Sequence, residues 1–176
     1  MSSDRAIRKR ESISIREYEP GDSIPAITSL VNRAYAELAE AGFRYVATWQ
    51  GDAITRRRVE AGVTFLAFDD SDLVGTISLY EKHRGPCAYY KREGVFYFGM
   101  FGIAPDRQGR GIGARLLGRV EREAAARGAR ELALDTAEGA ERLLAFYESR
   151  GYRIVDRVDW PATNYVSVIM SKPLDL

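Results

Sequence analysis

Glycine, glutamine and arginine are concentrated in the middle of the chain, where residues 106–113 read DRQGRGIG. An aromatic and aliphatic stretch, residues 94–103, precedes this segment, and apolar residues at a helical spacing follow it over residues 112–127. The first N–H groups of a helix have no partner inside the helix and carry the positive end of its dipole. Glycines let a ligand come close to such groups. The segment therefore predicts a strand, a turn and a helix whose N-terminus binds a phosphate or another anion.

Three arginines lie at this turn, Arg107, Arg110 and Arg115, and we expect them to add positive charge to the anion site. Two phosphate-binding patterns fit the turn. A G-x-G-x-x-A pattern from Gly109 is typical of dinucleotide binding, with acidic residues at positions 131 and 135, about 20 residues further on. A Q-x-x-G-x-G pattern from Gln108 is the alternative and indicates a pyrophosphate loop. A purely structural turn is the weaker explanation, because each glycine at a helix start costs about 1 kcal/mol relative to alanine.

The patterns around the turn predict an α/β domain with a mixed, mostly antiparallel sheet of seven strands and four helices. Strands are expected at residues 12–18, 63–68, 73–80, 94–103, 131–136, 152–160 and 165–171. Helices are expected at residues 22–42, 52–61, 112–127 and 138–150. Short turns join the early strands and make them antiparallel, whereas residues 94–136 form a right-handed parallel crossover. This order differs from the repeated strand–helix units of a dinucleotide fold.

The composition is that of one globular domain. The chain has 176 residues, 45% of them hydrophobic and 29% charged, and a net charge of +1, so we expect no nucleic-acid partner. No apolar run approaches the ~18 residues of a membrane span. Cys87 is the only cysteine, which favours a reducing, cytoplasmic location, and with His83 also alone we expect no metal site. We expect a flexible tail over residues 1–11 and one domain over residues 12–176.

Three segments together resemble the GCN5-related N-acetyltransferase (GNAT) family. They read FGIAP at residues 101–105, QGRGIG at 108–113 and AFYESRGY at 145–152. The second is similar to the family's pyrophosphate loop, Q/R-x-x-G-x-G/A, and the third to its signature Y-x-x-x-G-F/Y. The resemblance covers about residues 12–172. It implies the acyl-CoA N-acyltransferase fold, in which the central parallel strand pair is splayed.

The resemblance also implies that acetyl-CoA, without a metal, lies in the gap between the strands at 95–103 and 131–136. Its pyrophosphate would lie on the N–H groups of residues 108–113 and its thioester carbonyl near the N–H of Ile103. Gly102 would permit a β-bulge. The implied cofactor-binding residues are Phe101, Gly102, Ile103, Gln108, Gly109, Arg110, Gly111, Ile112 and Gly113.

Catalytic roles follow from the same resemblance. Tyr147 stands where the family has a tyrosine that protonates the leaving thiolate. Asp135 stands where some ribosomal-protein acetyltransferases have a carboxylate, and it would be the general base, although it also fits a cap of the following helix. Glu81, Glu93 and Tyr97, acting through water, are the other candidates for the base.

The predicted function is N-acetyltransfer from acetyl-CoA to a primary amine, by direct attack, with a small-molecule or protein acceptor. The chain departs from the family at two points: residues 95–104 include no acidic residue, and Ala140 stands in place of an asparagine. Both departures support an alternative, a non-catalytic acyl-CoA sensor. A protein that binds a nicotinamide dinucleotide is the third hypothesis.

The acceptor pocket is expected from the early helices and from loops 42–50 and 81–93. The hairpin at 160–165 would cover this pocket or form a homodimer contact. The basic run at 56–58 is interpreted first as a solvated helix face and second as a substrate or phosphate contact.

Overall fold

The computed structural model describes residues 13–83 and 85–175, so the tail expected at residues 1–11 lies outside the described part. The strands are β1 (Ile13–Glu17), β2 (Val63–Asp69), β3 (Asp72–Tyr80), β4 (Val95–Ile103), β5 (Glu131–Ala137), β6 (Arg153–Asp159) and β7 (Val166–Pro173). The helices are α1 (Ile24–Ala34), α2 (Ala36–Glu40), α3 (Asp52–Glu60), α4 (Ile112–Ala126) and α5 (Glu141–Glu148). Among these helices we find none with the length and apolarity that a membrane crossing requires.

The seven strands form one sheet in the order β1-β2-β3-β4-β5-β7-β6. Within the described residues, β4 and β5 are the one parallel pair of neighbours and the other neighbours are antiparallel. The predicted mixed, mostly antiparallel sheet is therefore confirmed. It is not the repeated parallel arrangement of a dinucleotide-binding fold, which removes the structural basis of that hypothesis.

Two helices differ in length from the prediction. The first expected helix is divided into α1 and α2 at Tyr35, whose backbone leaves helical geometry (φ −102°, ψ 4°). The helix expected at 138–150 begins only at Glu141. The N–H of Glu138 still donates to the carbonyl of Val166 at 2.9 Å, so the chain continues beside β7 before it can turn into α5.

The strands β4 and β5 pair over only three residues, from Val95 opposite Glu131 to Tyr97 opposite Ala133. Beyond that point β4 stays with β3 as far as Ile103, and β5 stays with β7 as far as Ala137. The two central strands therefore separate and leave a gap in the middle of the sheet, which confirms the predicted splay.

A β-bulge does occur in β4, but the prediction that places it at Gly102 is wrong. Gly102 lies opposite Thr76 and Gly99 opposite Ser78, so the extra residue lies between the two glycines, where Met100 has a positive φ of 49°. Gly102 has another role, because a Cβ there would lie 3.0 Å from the Cβ of Ala34 in α1. The missing side chain allows this helix to pack closely on the sheet.

The bulge changes which side chains of β4 face each layer of the core. Phe98 and Phe101 contact the layer under α4 and α5, whereas Met100 belongs to the layer under α1. Fully buried residues fill both layers, including Leu116 and Leu117 of α4. Burial of each such leucine stabilises the fold by about 1.5–3 kcal/mol.

The hydroxyl of Tyr45 satisfies part of the backbone that the splay leaves open. It accepts a hydrogen bond from the N–H of Ala137, at the end of β5, at 3.0 Å. It is also hydrogen-bonded to Oγ1 of Thr136 at 2.9 Å, and the ring is 9% exposed. The tyrosine therefore replaces the strand partner that β4 no longer provides.

We predict that Tyr45→Phe lowers the free energy of unfolding by about 1–3 kcal/mol, because it leaves the buried N–H of Ala137 without an acceptor. Urea denaturation measures the change. Tyr18→Phe is the matched control, since the Tyr18 hydroxyl makes no hydrogen bond within residues 13–83 and 85–175 and its loss should change the free energy by less than about 0.5 kcal/mol. Equal effects of the two substitutions would contradict the role of Tyr45.

Candidate active site

The glycine-rich turn leads into α4 with its first N–H groups uncovered. A single 3-10 turn, Pro105–Arg107, follows β4, and Gly109 and Gly111 then adopt left-handed conformations with φ of 76° and 78°. Residues with a side chain rarely adopt this conformation. Gly111 is the N-cap of α4 and no side chain caps the helix, so the N–H groups of the first turn are open to a ligand.

Gly113 lies inside the first turn of α4 and faces the protein. A Cβ at this position would lie 3.4 Å from the ring of Phe101, which is an ordinary contact. Neither packing against β4 nor the backbone conformation therefore requires a glycine at this position. The conformational requirement for glycine falls on Gly109 and Gly111.

The arginines of the turn bind other parts of the protein. Arg107 forms ion pairs with Asp106 at 2.7 Å and with Asp69 at 3.3 Å, and Arg110 lies 3.8 Å from Asp69. Arg115 donates to the carbonyl of Ile13 at 2.9 Å. These contacts attach the turn to the β2–β3 hairpin and to β1, so the backbone N–H groups are the main anion-binding feature.

One backbone N–H of β4 points into the gap between the central strands. The N–H of Ala104 donates to the carbonyl of Val74 in β3 at 2.8 Å. Successive N–H groups of a strand point to opposite sides, so that of Ile103 points away from β3, toward the side that β5 has left.

The gap opens into a cavity of about 480 Å³. Its walls are largely aromatic, and two charged side chains also line it. The principal members are Tyr45, Arg58, Phe98, Asp135, Tyr147 and Trp160. A second cavity, of about 550 Å³, lies between the N-terminus of α1 and the β2–β3 turn and includes neither Tyr147 nor Asp135.

Tyr147 lies at the wall of the first cavity, on α5, and is 5% exposed. Its ring packs against Phe146 and Phe98, with centroids 5.2 and 6.0 Å away. Within residues 13–83 and 85–175, its hydroxyl has no hydrogen-bond partner. Burial raises the pKa of Tyr147 well above its usual value of 10.0. The phenol is therefore protonated at neutral pH and free to donate to a bound molecule.

Asp135 lies on β5 and lines the same cavity. Its Oδ1 accepts a hydrogen bond from the Tyr90 hydroxyl at 2.9 Å, and its Oδ2 accepts one from Nε1 of Trp160 at 3.0 Å. Burial raises the pKa of Asp135 above its usual value of 3.8, and the two hydrogen bonds partly offset this by favouring the charged form. It does not cap the following helix, since α5 has no side-chain cap.

The other candidates for the base lie elsewhere or are occupied. Glu81 forms an ion pair with Arg127 at 3.0 Å, and the side chain of Glu93 is 97% exposed. The Tyr97 hydroxyl donates to the carbonyl of Lys82 at 3.3 Å. None of these three residues lines the cavity described by the structure.

The sequence reasoning gave no role to His83, which also lines the cavity. Its ring contacts those of Tyr90, Tyr97 and Trp160, and its Nδ1 accepts a hydrogen bond from the N–H of Gly85 at 2.9 Å. Burial lowers the pKa of His83, so the ring is neutral at pH 7 with its proton on Nε2. In this form it donates a hydrogen bond rather than accepting a proton.

Metal ligands do not cluster in the described part of the chain. There, no three His, Cys, Asp or Glu side chains lie close enough together to hold an ion. Cys87 is buried and unpaired, in a small apolar cluster with Tyr90 and Val95.

Comparison with known proteins agrees with this geometry. The model of the acetyltransferase (GNAT) family matches residues 24–152. An acetyltransferase of Pectobacterium atrosepticum is 33% identical over 88 residues, which are 49% of this chain and 55% of that protein, so the match spans about half of that relative.

Solved structures resemble the whole fold at low identity. A GNAT family acetyltransferase from Elizabethkingia anophelis, solved with acetyl-CoA bound, has a TM-score of 0.67 at 18% identity, over 94% of this chain and 100% of that chain. An N-acetyltransferase from Staphylococcus aureus has a TM-score of 0.71 at 16% identity, over 93% of this chain and 99% of that chain. The splayed sheet and the turn before α4 define the acyl-CoA N-acyltransferase fold. The chain belongs to the acetyltransferase (GNAT) family.

We predict that Tyr90→Phe raises the pKa of Asp135 further, because it removes a hydrogen bond that favours the charged carboxylate. Carbon-13 NMR of the aspartate carboxyl groups measures the titration, and Asp135→Asn identifies the signal. The pKa of Asp135 is higher in the folded state than its value of 3.8 in the unfolded state, so protonation of Asp135 stabilises the fold. This stabilisation is fully present below pH 3.8 and is lost as the pH rises through the pKa of the folded state. A lower pKa in Tyr90→Phe would contradict the assigned hydrogen bond.

Proposed function

We propose that this protein transfers the acetyl group of acetyl-CoA to a primary amine held in the 480 Å³ cavity. The observation that carries the proposal is the gap between β4 and β5, which joins the open N-terminus of α4 to the cavity that Tyr147 and Asp135 line. Family membership, and the acetyl-CoA bound to the relative from Elizabethkingia anophelis, support the same co-substrate.

The main chain would hold the co-substrate along this gap. The N–H groups over residues 108–113 would bind its pyrophosphate, as helix N-termini commonly do. The edge of β4 at residues 101–103 would pair with the amides of the pantetheine arm, as with an added strand. The N–H of Ile103 would then stabilise the negative charge that develops on the thioester oxygen.

The side chains of the cavity would move the protons. The amine nitrogen attacks the thioester carbon, and the carbon–sulfur bond breaks. Asp135 accepts the proton that the amine loses, and Tyr147 donates its phenolic proton to the leaving sulfur. Proton exchange with solvent then restores both groups. Asp135 would supply the carboxylate that β4 lacks, which favours an enzyme over a non-catalytic sensor.

We predict that Tyr147→Phe lowers acetyl transfer at least tenfold while acetyl-CoA still binds, because general acid catalysis typically contributes a factor of about 10²–10⁴. Released CoA thiol measures turnover over a panel of primary amines. Tyr18→Phe, which changes a tyrosine outside the cavity, is the control and should turn over normally. Unchanged turnover in Tyr147→Phe would remove this residue from the mechanism.

If the unaltered protein binds acetyl-CoA but none of the amines in the panel causes release of CoA thiol, the sensor hypothesis replaces the enzyme. This outcome is separate from a failure of Tyr147 alone, since it needs no variant.

We predict that Gly111→Ala weakens CoA binding about five- to thirtyfold. The left-handed conformation that Gly111 has in the structure costs a residue with a side chain about 1–2 kcal/mol, so we expect the turn of the variant to leave this conformation in the free protein and to regain it only at that cost when CoA binds. Isothermal titration calorimetry measures the dissociation constant. Gly118→Ala is the matched control, since Gly118 lies within α4 and a Cβ there meets only the flexible end of Arg122 at 3.5 Å. Equal affinities of the two variants would contradict a pyrophosphate site at this turn.

A further inference from the structure

The structure distinguishes the three arginines of the basic run in α3. Arg56 lies 3.7 Å from Glu60 on the outer surface, and Arg57 is exposed. Arg58 is half-buried and lines the cavity beside the central strands. A run that the sequence presents as uniform therefore places one guanidinium in the site.

A buried polar network holds this guanidinium in place. Nη1 of Arg58 donates to Oε1 of Gln50 at 2.5 Å, and Nε2 of Gln50 donates to Oγ1 of Thr55 at 2.7 Å. Thr55 is also hydrogen-bonded to Thr28 at 2.8 Å. Gln50 is only 1% exposed and Thr55 is fully buried, so the network is part of the core. Neutral groups thus orient the arginine without neutralising its charge.

The sheet also makes room for this side chain. A Cβ on Gly99 of β4 would lie 3.3 Å from Nη2 of Arg58, tighter than most real contacts. The guanidinium therefore packs against the bare backbone of the strand that borders the gap.

Arg58 has no carboxylate within 4.0 Å among residues 13–83 and 85–175. Asp135, the acidic residue of the cavity wall, accepts hydrogen bonds from Tyr90 and Trp160, and Arg58 acts on it only by Coulomb attraction over a longer distance. A half-buried charge that lacks an ionic partner is costly, and a ligand carboxylate would compensate it with paired hydrogen bonds.

The anion that Arg58 fits is not the pyrophosphate of a bound CoA. Gly99 precedes Ile103 by four residues, about 13 Å along the strand, and the turn with the open N–H groups lies beyond Ile103. The anion therefore belongs to the molecule that occupies the cavity, which under the proposed function is the acceptor.

We propose that the acceptor is a free amino acid, whose carboxylate Arg58 binds while its amine faces Asp135. The inference rests on the proposed acetyltransfer and deepens it. Arg58 is then the residue that selects amines with a carboxylate over otherwise similar amines. The aromatic walls of the cavity accommodate an apolar side chain on the acceptor.

The test compares amino acids, such as phenylalanine and leucine, with their carboxamides at equal concentrations of free amine. We expect kcat/KM to favour the acids at least about tenfold in the unaltered protein and in the matched control, Arg57→Gln. In Arg58→Gln this preference should fall to about one, through a higher KM for the acids. Arg58→Lys, which keeps the charge without the planar fork, should retain part of the preference.

Binding of the products gives a readout that does not depend on turnover. N-acetyl amino acids, with CoA present, should raise the melting temperature of the unaltered protein and of Arg57→Gln more than their carboxamides do, and this difference should vanish in Arg58→Gln. Equal effects of acids and carboxamides on the unaltered protein, or an unchanged preference in Arg58→Gln, would overturn the assignment. Failure of acetyltransfer itself would appear separately, because neither the amino acids nor the carboxamides would then cause release of CoA thiol.

Discussion

The separation of β4 from β5 is the constraint on which the rest of the structure depends. Parallel strands that part within a sheet leave backbone N–H and C=O groups without partners, and such groups are costly when they are buried. On the β5 side, the hydroxyl of Tyr45 satisfies the N–H of Ala137. On the β4 side, the N–H of Ile103 points into the gap and can be satisfied by a ligand. The candidate active site is thus formed where the sheet is incomplete.

The features that sequence could predict are local ones. The strand, the glycine turn and α4 are consecutive, so the pattern of residues 94–127 was enough to predict these elements and their order. The order of the elements along the chain predicted the parallel crossover from β4 to β5. It thereby also predicted that the gap lies between these two strands. Tyr147 and Asp135 were assigned from motif positions, and the structure brings both to one cavity. Their catalytic roles remain proposals.

The features that sequence could not predict depend on distant contacts. The orientation of Arg58 depends on Gln50, Thr55 and the bare backbone of Gly99, and no local pattern distinguishes it from Arg57. The same holds for the arginines of the turn, since Asp69, which pairs with Arg107, is 38 positions earlier by residue number. The bulge in β4 is likewise visible only in the pairing of β4 with β3, and its residue with a positive φ, Met100, is not a glycine.

Burial raises the pKa of both Asp135 and Tyr147, but the consequences for the two groups are complementary. A raised pKa keeps the phenol of Tyr147 protonated, and it makes the carboxylate of Asp135 a stronger base than an exposed one. Hydrogen bonds from Tyr90 and Trp160 counteract the effect on Asp135 alone, and so keep its pKa from rising as far as burial would drive it. Because burial in one cavity raises both values, removing water from the site serves the acid and the base together, while the hydrogen bonds from Tyr90 and Trp160 and the positive charge of Arg58 limit the rise at Asp135.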